Sequence, residues 1–169
     1  MQILQTERLT LREITTGDAE FMLALLNDPS WIKFIGDRGV RTIEQAKNYI
    51  DEKMIMSYRD HGFGLYVTEL KENKTPIGLC GLVKRDSIED VEIGFAFLPD
   101  FTGKGFGYES ASATMEFAKK NLNIKRIVAI TDPRNIKSQR LLNKIGLQFE
   151  KTIKFEGGSD GVAFFVPIK

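Results

Sequence analysis

The hydrophobic pattern changes period several times along the chain, and each change marks an element. Residues 8–14 alternate apolar and polar, the period of a half-buried strand. Thr16-Gly-Asp18 offers a helix start, and Phe21, Met22, Leu25 and Leu26 follow at helical spacing until Asn27-Asp-Pro29 ends the run. Residues 31–41 mix polarity around Gly36 and Gly39, which predicts a short helical turn and a loop. Thr42 caps a second helix over 42–59, where Ile43, Ala46, Ile50, Met54 and Tyr58 repeat on one side. The period then switches to that of strands at 63–70, 76–84 and 90–98. Polar turns separate them, as in an antiparallel meander. A helix to about residue 122 follows a glycine-rich loop. Residues 126–131 form a β-branched run of the buried, parallel type. Asn135 opens a helix with Leu141, Leu142 and Ile145 on its apolar side, closed by Gly146. Strands at 147–155 and 162–168 flank a hairpin loop at Glu156-Gly-Gly-Ser-Asp160. The order β-α-α-β-β-β-α-β-α-β-β describes a mixed α/β domain.

Composition narrows this picture. A length of 169 residues suits a single domain with a sizeable core. The 24 basic and 23 acidic residues nearly cancel, so no broad field advertises nucleic acid or an anionic membrane. The lone Cys80 rules out an internal disulfide and a cysteine-based metal cluster, and its apolar surroundings suit a buried structural thiol. No apolar stretch approaches a membrane span. A soluble, cytoplasmic protein is expected.

The candidate chemistry centres on the loop after the third meander strand. Thr102-Gly-Lys-Gly-Phe-Gly107 places glycines at 103, 105 and 107 immediately before a helix. Glycine lets backbone amides approach a ligand closely, and the first amides of a helix lack intrahelical partners at the positive end of the dipole. Together they suit a phosphate or pyrophosphate, with Lys104 as an added charge. A strand-to-helix turn that merely uses glycine is the other reading. A Walker loop is excluded, because Gly107 is not followed by Lys-Ser or Lys-Thr.

Together with the segments downstream, this loop resembles a known family. Residues 102–107 are similar to the acyl-CoA loop Gln/Arg-x-x-Gly-x-Gly/Ala of the GNAT superfamily of N-acetyltransferases. Residues 135–146, Asn-Ile-Lys-Ser-Gln-Arg-Leu-Leu-Asn-Lys-Ile-Gly, resemble its Asn-x-x-Ser/Ala signature ending Lys-x-Gly-Phe. The opening Thr6-Glu-Arg-Leu-Thr-Leu-Arg12 and the segment Glu92-Ile-Gly-Phe95 resemble the branch that contains the ribosomal-protein alanine N-acetyltransferases. The likeness runs over essentially the whole chain. It implies a mostly antiparallel mixed sheet of about six to seven strands flanked by helices, with a splayed parallel pair that binds CoA.

The resemblance also implies roles. Phe95, Phe97 and Leu98 match the strand whose main chain pairs with pantetheine, as an added strand would. Thr102, Gly103, Lys104, Gly105, Phe106 and Gly107 match the pyrophosphate cradle, and Asn135 the residue that bonds pantetheine. Three positions depart from the pattern. Leu147 replaces the usual Phe, Thr102 stands where Gln or Arg is general, and Leu142 stands where many members have the Tyr that protonates the leaving thiolate. Ser138 is the replacement candidate for that Tyr, with a helix-cap hydroxyl as the other reading. Glu92 is either the base that takes the amine proton or a structural carboxylate. Strict alternation sets it opposite Ile93, Phe95 and Phe97 unless a bulge intervenes. His61 reads as an exposed loop residue, and Cys80 as an acetyl-carrying nucleophile has no neighbouring cue.

The expected activity is therefore acetyl transfer from acetyl-CoA to a primary amine by direct attack, without a metal. The acceptor is a protein N-terminus, such as that of a ribosomal protein, or a small molecule such as a polyamine, antibiotic or amino-acid derivative. Its specificity is expected in residues 27–41 and 156–161. A homodimer is compatible with the resemblance. A non-catalytic CoA-binding domain and a mononucleotide-binding protein remain open alternatives.

Overall fold

The computed structural model describes residues 1–154 and 160–169. Residues 155–159, which hold most of the expected hairpin loop and of the second specificity segment, lie outside that description. The described residues form strands β1 (Gln2–Gln5), β2 (Leu9–Arg12), β3 (Leu65–Leu70), β4 (Pro76–Val83), β5 (Val91–Phe97), β6 (Ile127–Thr131), β7 (Leu147–Ile153) and β8 (Val162–Pro167). The α-helices are α1 (Ala19–Leu26), α2 (Pro29–Phe34), α3 (Ile43–Tyr49), α4 (Met56–His61), α5 (Phe106–Asn121) and α6 (Ile136–Lys144).

The strands make one eight-stranded sheet in the order β1-β2-β3-β4-β5-β6-β8-β7. Only β5 and β6 pair in parallel. The sheet thus has more strands than the six to seven expected. The addition is β1, a four-residue edge strand with a bulge and no clear alternation, held by β2 and by the Glu13 N–H donating to the Met1 carbonyl at 2.8 Å.

Each face of the sheet carries its own layer. On one side α5 and α6 bury Ala111, Met115, Ala118 and Leu142 against Leu9, Leu11, Tyr66, Cys80, Leu82 and Ile93. On the other, Met22, Leu25, Leu26, Trp31, Ala46 and Ile50 from α1–α3 and the turn after α3 cover Val67 and Leu79. Leu142 is 1 % exposed, so the position where a family tyrosine would stand is core.

Local chemistry accounts for the helix ends. Thr42 and Gln45 form a capping box, with the Thr42 hydroxyl accepting from the Gln45 N–H at 3.1 Å. The single helix expected over 42–59 is interrupted by a π-helical turn at Ile50–Ile55 before α4. Pro29 begins α2 instead of only ending α1. It stands in the first helical turn, where its missing N–H costs nothing, and Asp28 caps it by accepting from the Ser30 N–H at 3.0 Å.

Candidate active site

Strand β5 runs in unbroken antiparallel register with β4, from Gly78 opposite Phe97 to Val83 opposite Glu92. On its other edge it meets β6 at only two positions, Val91 opposite Ile127 and Glu92 opposite Val128. Beyond that point β6 turns to β8, pairing from Ala129 to Thr131. A V-shaped gap therefore opens between two parallel strands, with Glu92 at its vertex and the glycine loop at its mouth. The Leu98 N–H donates to the Ile77 carbonyl at 2.9 Å, toward β4. Main-chain groups of successive strand residues point to opposite edges, so those of Ile93, Phe95 and Phe97 turn into the gap. Phe95 and Phe97 thus turn their backbones into the gap, whereas the Leu98 amide turns toward β4.

At the mouth, Pro99–Phe101 form a short 3-10 turn, and the Thr102 hydroxyl donates to the Pro99 carbonyl at 2.9 Å. Gly103 and Gly105 have φ of 73° and 83°, a left-handed backbone that favours glycine. Gly105 is the N-cap of α5, so the amides of Phe106, Gly107 and Tyr108 begin a 16-residue helix without intrahelical acceptors. Lys104 is exposed, with its ammonium 5.7 Å from the Phe101 ring centroid. The Phe106 ring is buried, which leaves only its amide for a ligand. A Cβ at Gly107 would approach Leu141 Cδ2 to 3.0 Å, so this glycine also lets α6 pack close to the loop.

Sequence reasoning assigned no role to Arg8 or Glu109, and the structure gives both one at this loop. The Arg8 Nε donates to Glu109 Oε2 at 2.7 Å and its Nη1 to the Lys104 carbonyl at 3.1 Å, while the guanidinium lies 4.4 Å over the Phe106 ring. Nothing in the local pattern could pair side chains separated by about a hundred positions.

Glu92 is 2 % exposed, and its Oε2 accepts from Arg85 Nε at 2.8 Å. No bulge interrupts β5, so Glu92 lies on the face of Ala96 and Leu98, which pack against the α1–α3 layer, and away from α5. Burial pushes its carboxyl up, and the charges of Arg85 and Lys84 pull it partly back.

Across the gap, Asn135 is the N-cap of α6 and its Oδ1 accepts from the Ser138 N–H at 3.2 Å. Its side-chain NH2 is then the group able to donate to a ligand. Asn135 supplies the cap, so the Ser138 hydroxyl does not, and that half-buried hydroxyl has no partner among the described residues. Ser138→Ala is expected to lower kcat about tenfold with little change in acetyl-CoA affinity, the signature of a bond formed mainly in the transition state. Steady-state kinetics beside calorimetric titration checks this, and an unchanged kcat would assign protonation of the leaving thiolate to solvent.

Cys80 lies wholly buried on β4, with its sulfur 3.5 Å from the Thr114 hydroxyl. Burial pushes its thiol up to about 11, the reverse of an activated nucleophile. His61 ends α4, exposed, with its ring stacked 5.9 Å from that of Phe63.

The acetyltransferase (GNAT) domain profile matches residues 8–148, which span the gap, the loop and both flanking helices. The chain belongs to the GNAT acetyltransferases. It is 30 % identical over 151 residues to the uncharacterized N-acetyltransferase YnaD of Bacillus subtilis, covering 89 % of this chain and 85 % of that protein. A GNAT-family acetyltransferase from Bacillus anthracis superposes with a TM-score of 0.80 at 26 % identity, covering 99 % of this chain and 98 % of the other. RimL, a ribosomal L7/L12 α-N-protein acetyltransferase solved in complex with coenzyme A, has the same fold. It gives a TM-score of 0.83 at 16 % identity and covers 99 % of this chain and 98 % of its own. As a GNAT acetyltransferase the protein is an acetyl-CoA-dependent acyltransferase. Among the described residues no helix is long and apolar enough to cross a membrane.

Proposed function

We propose that this GNAT acetyltransferase moves the acetyl group of acetyl-CoA to the free α-amine of a protein N-terminus. The observation that carries the reading is the gap between β5 and β6, which leads straight into the loop that begins α5. Free strand edges at Phe95 and Phe97 suit the amide-bearing pantetheine arm, and the amides that open α5 suit its pyrophosphate. The residues present therefore fit the cosubstrate, which supplies an already activated thioester.

The amine nitrogen attacks the thioester carbonyl carbon, the C–N bond forms and the C–S bond breaks. Main-chain N–H groups of β5 orient the carbonyl. Glu92, buried on the face of the α1–α3 layer, takes the proton that the amine must lose through a water, and the Ser138 hydroxyl donates a hydrogen bond to the departing sulfur. A cap at Asn135 fixes the first turn of α6 and with it the position of Ser138.

The preference for a peptide acceptor over a polyamine rests on charge. The segment between α1 and α3 carries Lys33, Arg38 and Arg41. Of its two acids, Asp28 is buried as a helix cap and Asp37 cancels Arg41, to which it is paired at 2.5 Å, so Lys33 and Arg38 set the sign. A surface of that sign repels a polycation and accepts a neutral or acidic peptide. The test is acetyl-CoA turnover, read as free thiol and product mass. The acceptors are a peptide with a free N-terminus, the same peptide N-terminally blocked, and spermidine. Acetylation of the free peptide alone is expected. Turnover with spermidine alone would overturn the acceptor, and no turnover with any amine would overturn catalysis.

A further inference from the structure

We propose that Arg8 is the positioning residue of the glycine loop, holding the Lys104–Gly105 peptide so that its N–H faces the cosubstrate's pyrophosphate. The proposal rests on the assignment of that loop to the pyrophosphate.

Three contacts fix the guanidinium. Its Nε is bound to Glu109 in the first turn of α5, its plane lies over the Phe106 ring, and Nη1 donates to the Lys104 carbonyl. Glu109 is held in turn by the Thr6 hydroxyl at 2.5 Å and by the Arg8 N–H at 2.8 Å, both on Oε1. Although burial works against it, these bonds keep the Glu109 carboxyl below its usual range, so it is charged at neutral pH. The anchor itself is rigid, because Arg8 directly precedes β2, whose Leu9 and Leu11 are fully buried beneath α5.

The consequence comes from peptide geometry. In a planar trans peptide the C=O and the following N–H point in opposite directions. Binding the Lys104 carbonyl to Arg8 therefore turns the Gly105 N–H away from Arg8, and among the described residues that N–H has no acceptor. Released, this peptide can rotate about ψ of Lys104 and φ of Gly105, and glycine at 105 tolerates both signs of φ. A flipped peptide would present a carbonyl oxygen to the phosphates, exchanging an attraction for a repulsion. Arg8 also stands 3.2 Å from where a Gly105 Cβ would lie, so it backs the loop from the side opposite the free amide. A planar guanidinium does this as a fork, with two nitrogens fixed in one plane serving two acceptors.

Calorimetric titration of the intact protein with coenzyme A and with pantetheine, which lacks the pyrophosphate, tests this. Arg8→Met keeps an apolar stem over Phe106 and removes the fork. Coenzyme A is expected to bind it about tenfold more weakly and pantetheine equally well. The ratio between wild type and variant should persist in about 0.5 M salt, where a through-space charge effect would be screened. Glu109→Gln, which leaves Arg8 in place but loosens it, should shift coenzyme A affinity in the same direction by a few-fold. It supplies the answer if the methionine variant does not fold. Unchanged affinity for coenzyme A overturns the proposal. So does a loss shared equally by pantetheine, or one that vanishes at high salt. Wild-type protein that binds coenzyme A no better than pantetheine would instead overturn the reading of the loop itself.

Discussion

Gly105→Val is expected to weaken coenzyme A binding about 30-fold, about 2 kcal/mol. Gly105 sits at φ 83° as the N-cap of α5, where a β-branched residue is strained whatever space surrounds it. Space is also short, since a Cβ there would come to 3.2 Å from Arg8 Nη2. Relief of both strains moves the peptide bonds on either side of residue 105, and those bonds carry the amides proposed to hold the pyrophosphate. Lys104→Ala should do much less, because that side chain is exposed and its charge is screened by salt. Calorimetric titration of both variants, with circular dichroism to establish folding, measures the difference. A folded valine variant with wild-type affinity would remove the loop from the binding site.

Glu92→Gln should reduce kcat/KM about 100-fold at pH 7, with the deficit shrinking toward high pH as free amine becomes abundant. The variant keeps the shape of the side chain at the vertex of the gap and removes its basicity. Profiles of kcat/KM against pH for both proteins decide between a base and a structural carboxylate, because parallel profiles would leave proton removal to water. The stability of the two proteins should also diverge with pH, in a direction fixed by burial. Burial holds the Glu92 carboxyl above its usual value against the pull of Arg85 and Lys84, so the folded protein binds this proton more tightly than the unfolded chain does. Its stabilising contribution is thus complete below the unfolded pKa of about 4.3 and is lost as pH rises through the higher folded value. The Tm of wild type minus that of the glutamine variant should therefore fall as pH rises from about 4 toward neutrality. A flat difference would mean that pairing with Arg85 fully offsets the desolvation.

Much of this was legible in the order of residues. The meander, the glycine loop before α5, the β-branched run of β6 and the Asn135 cap of α6 are each set by interactions within a few residues. Periodicity and turn chemistry report such local interactions directly. The same holds for the loop backbone, since glycine at 103 and 105 and an immediate helix start already imply left-handed turns and free amides. Strand β1 was not legible, because four residues at a sheet edge owe their conformation to β2 and carry no alternation of their own. The π-helical turn after α3 was hidden for a similar reason, since helical spacing of apolar residues does not distinguish a continuous α-helix from one that widens by a residue.

Three features of the site were decided only by tertiary structure. That β5 and β6 part after Glu92 depends on β6 turning to β8, a strand more than thirty positions later in the chain. The surroundings of Glu92 depend on Arg85 reaching across the β4–β5 hairpin, and on the helical layer that shares its face. Arg8 meets Lys104 and Glu109 only because β2 packs beneath α5. By itself the sequence determined most of the elements and the glycine loop, which depend on neighbours along the chain, and the family, whose motifs stand in order along it. The gap, the buried carboxylate and the bracing arginine required the fold, because each joins residues that only the packed sheet brings within a few ångströms.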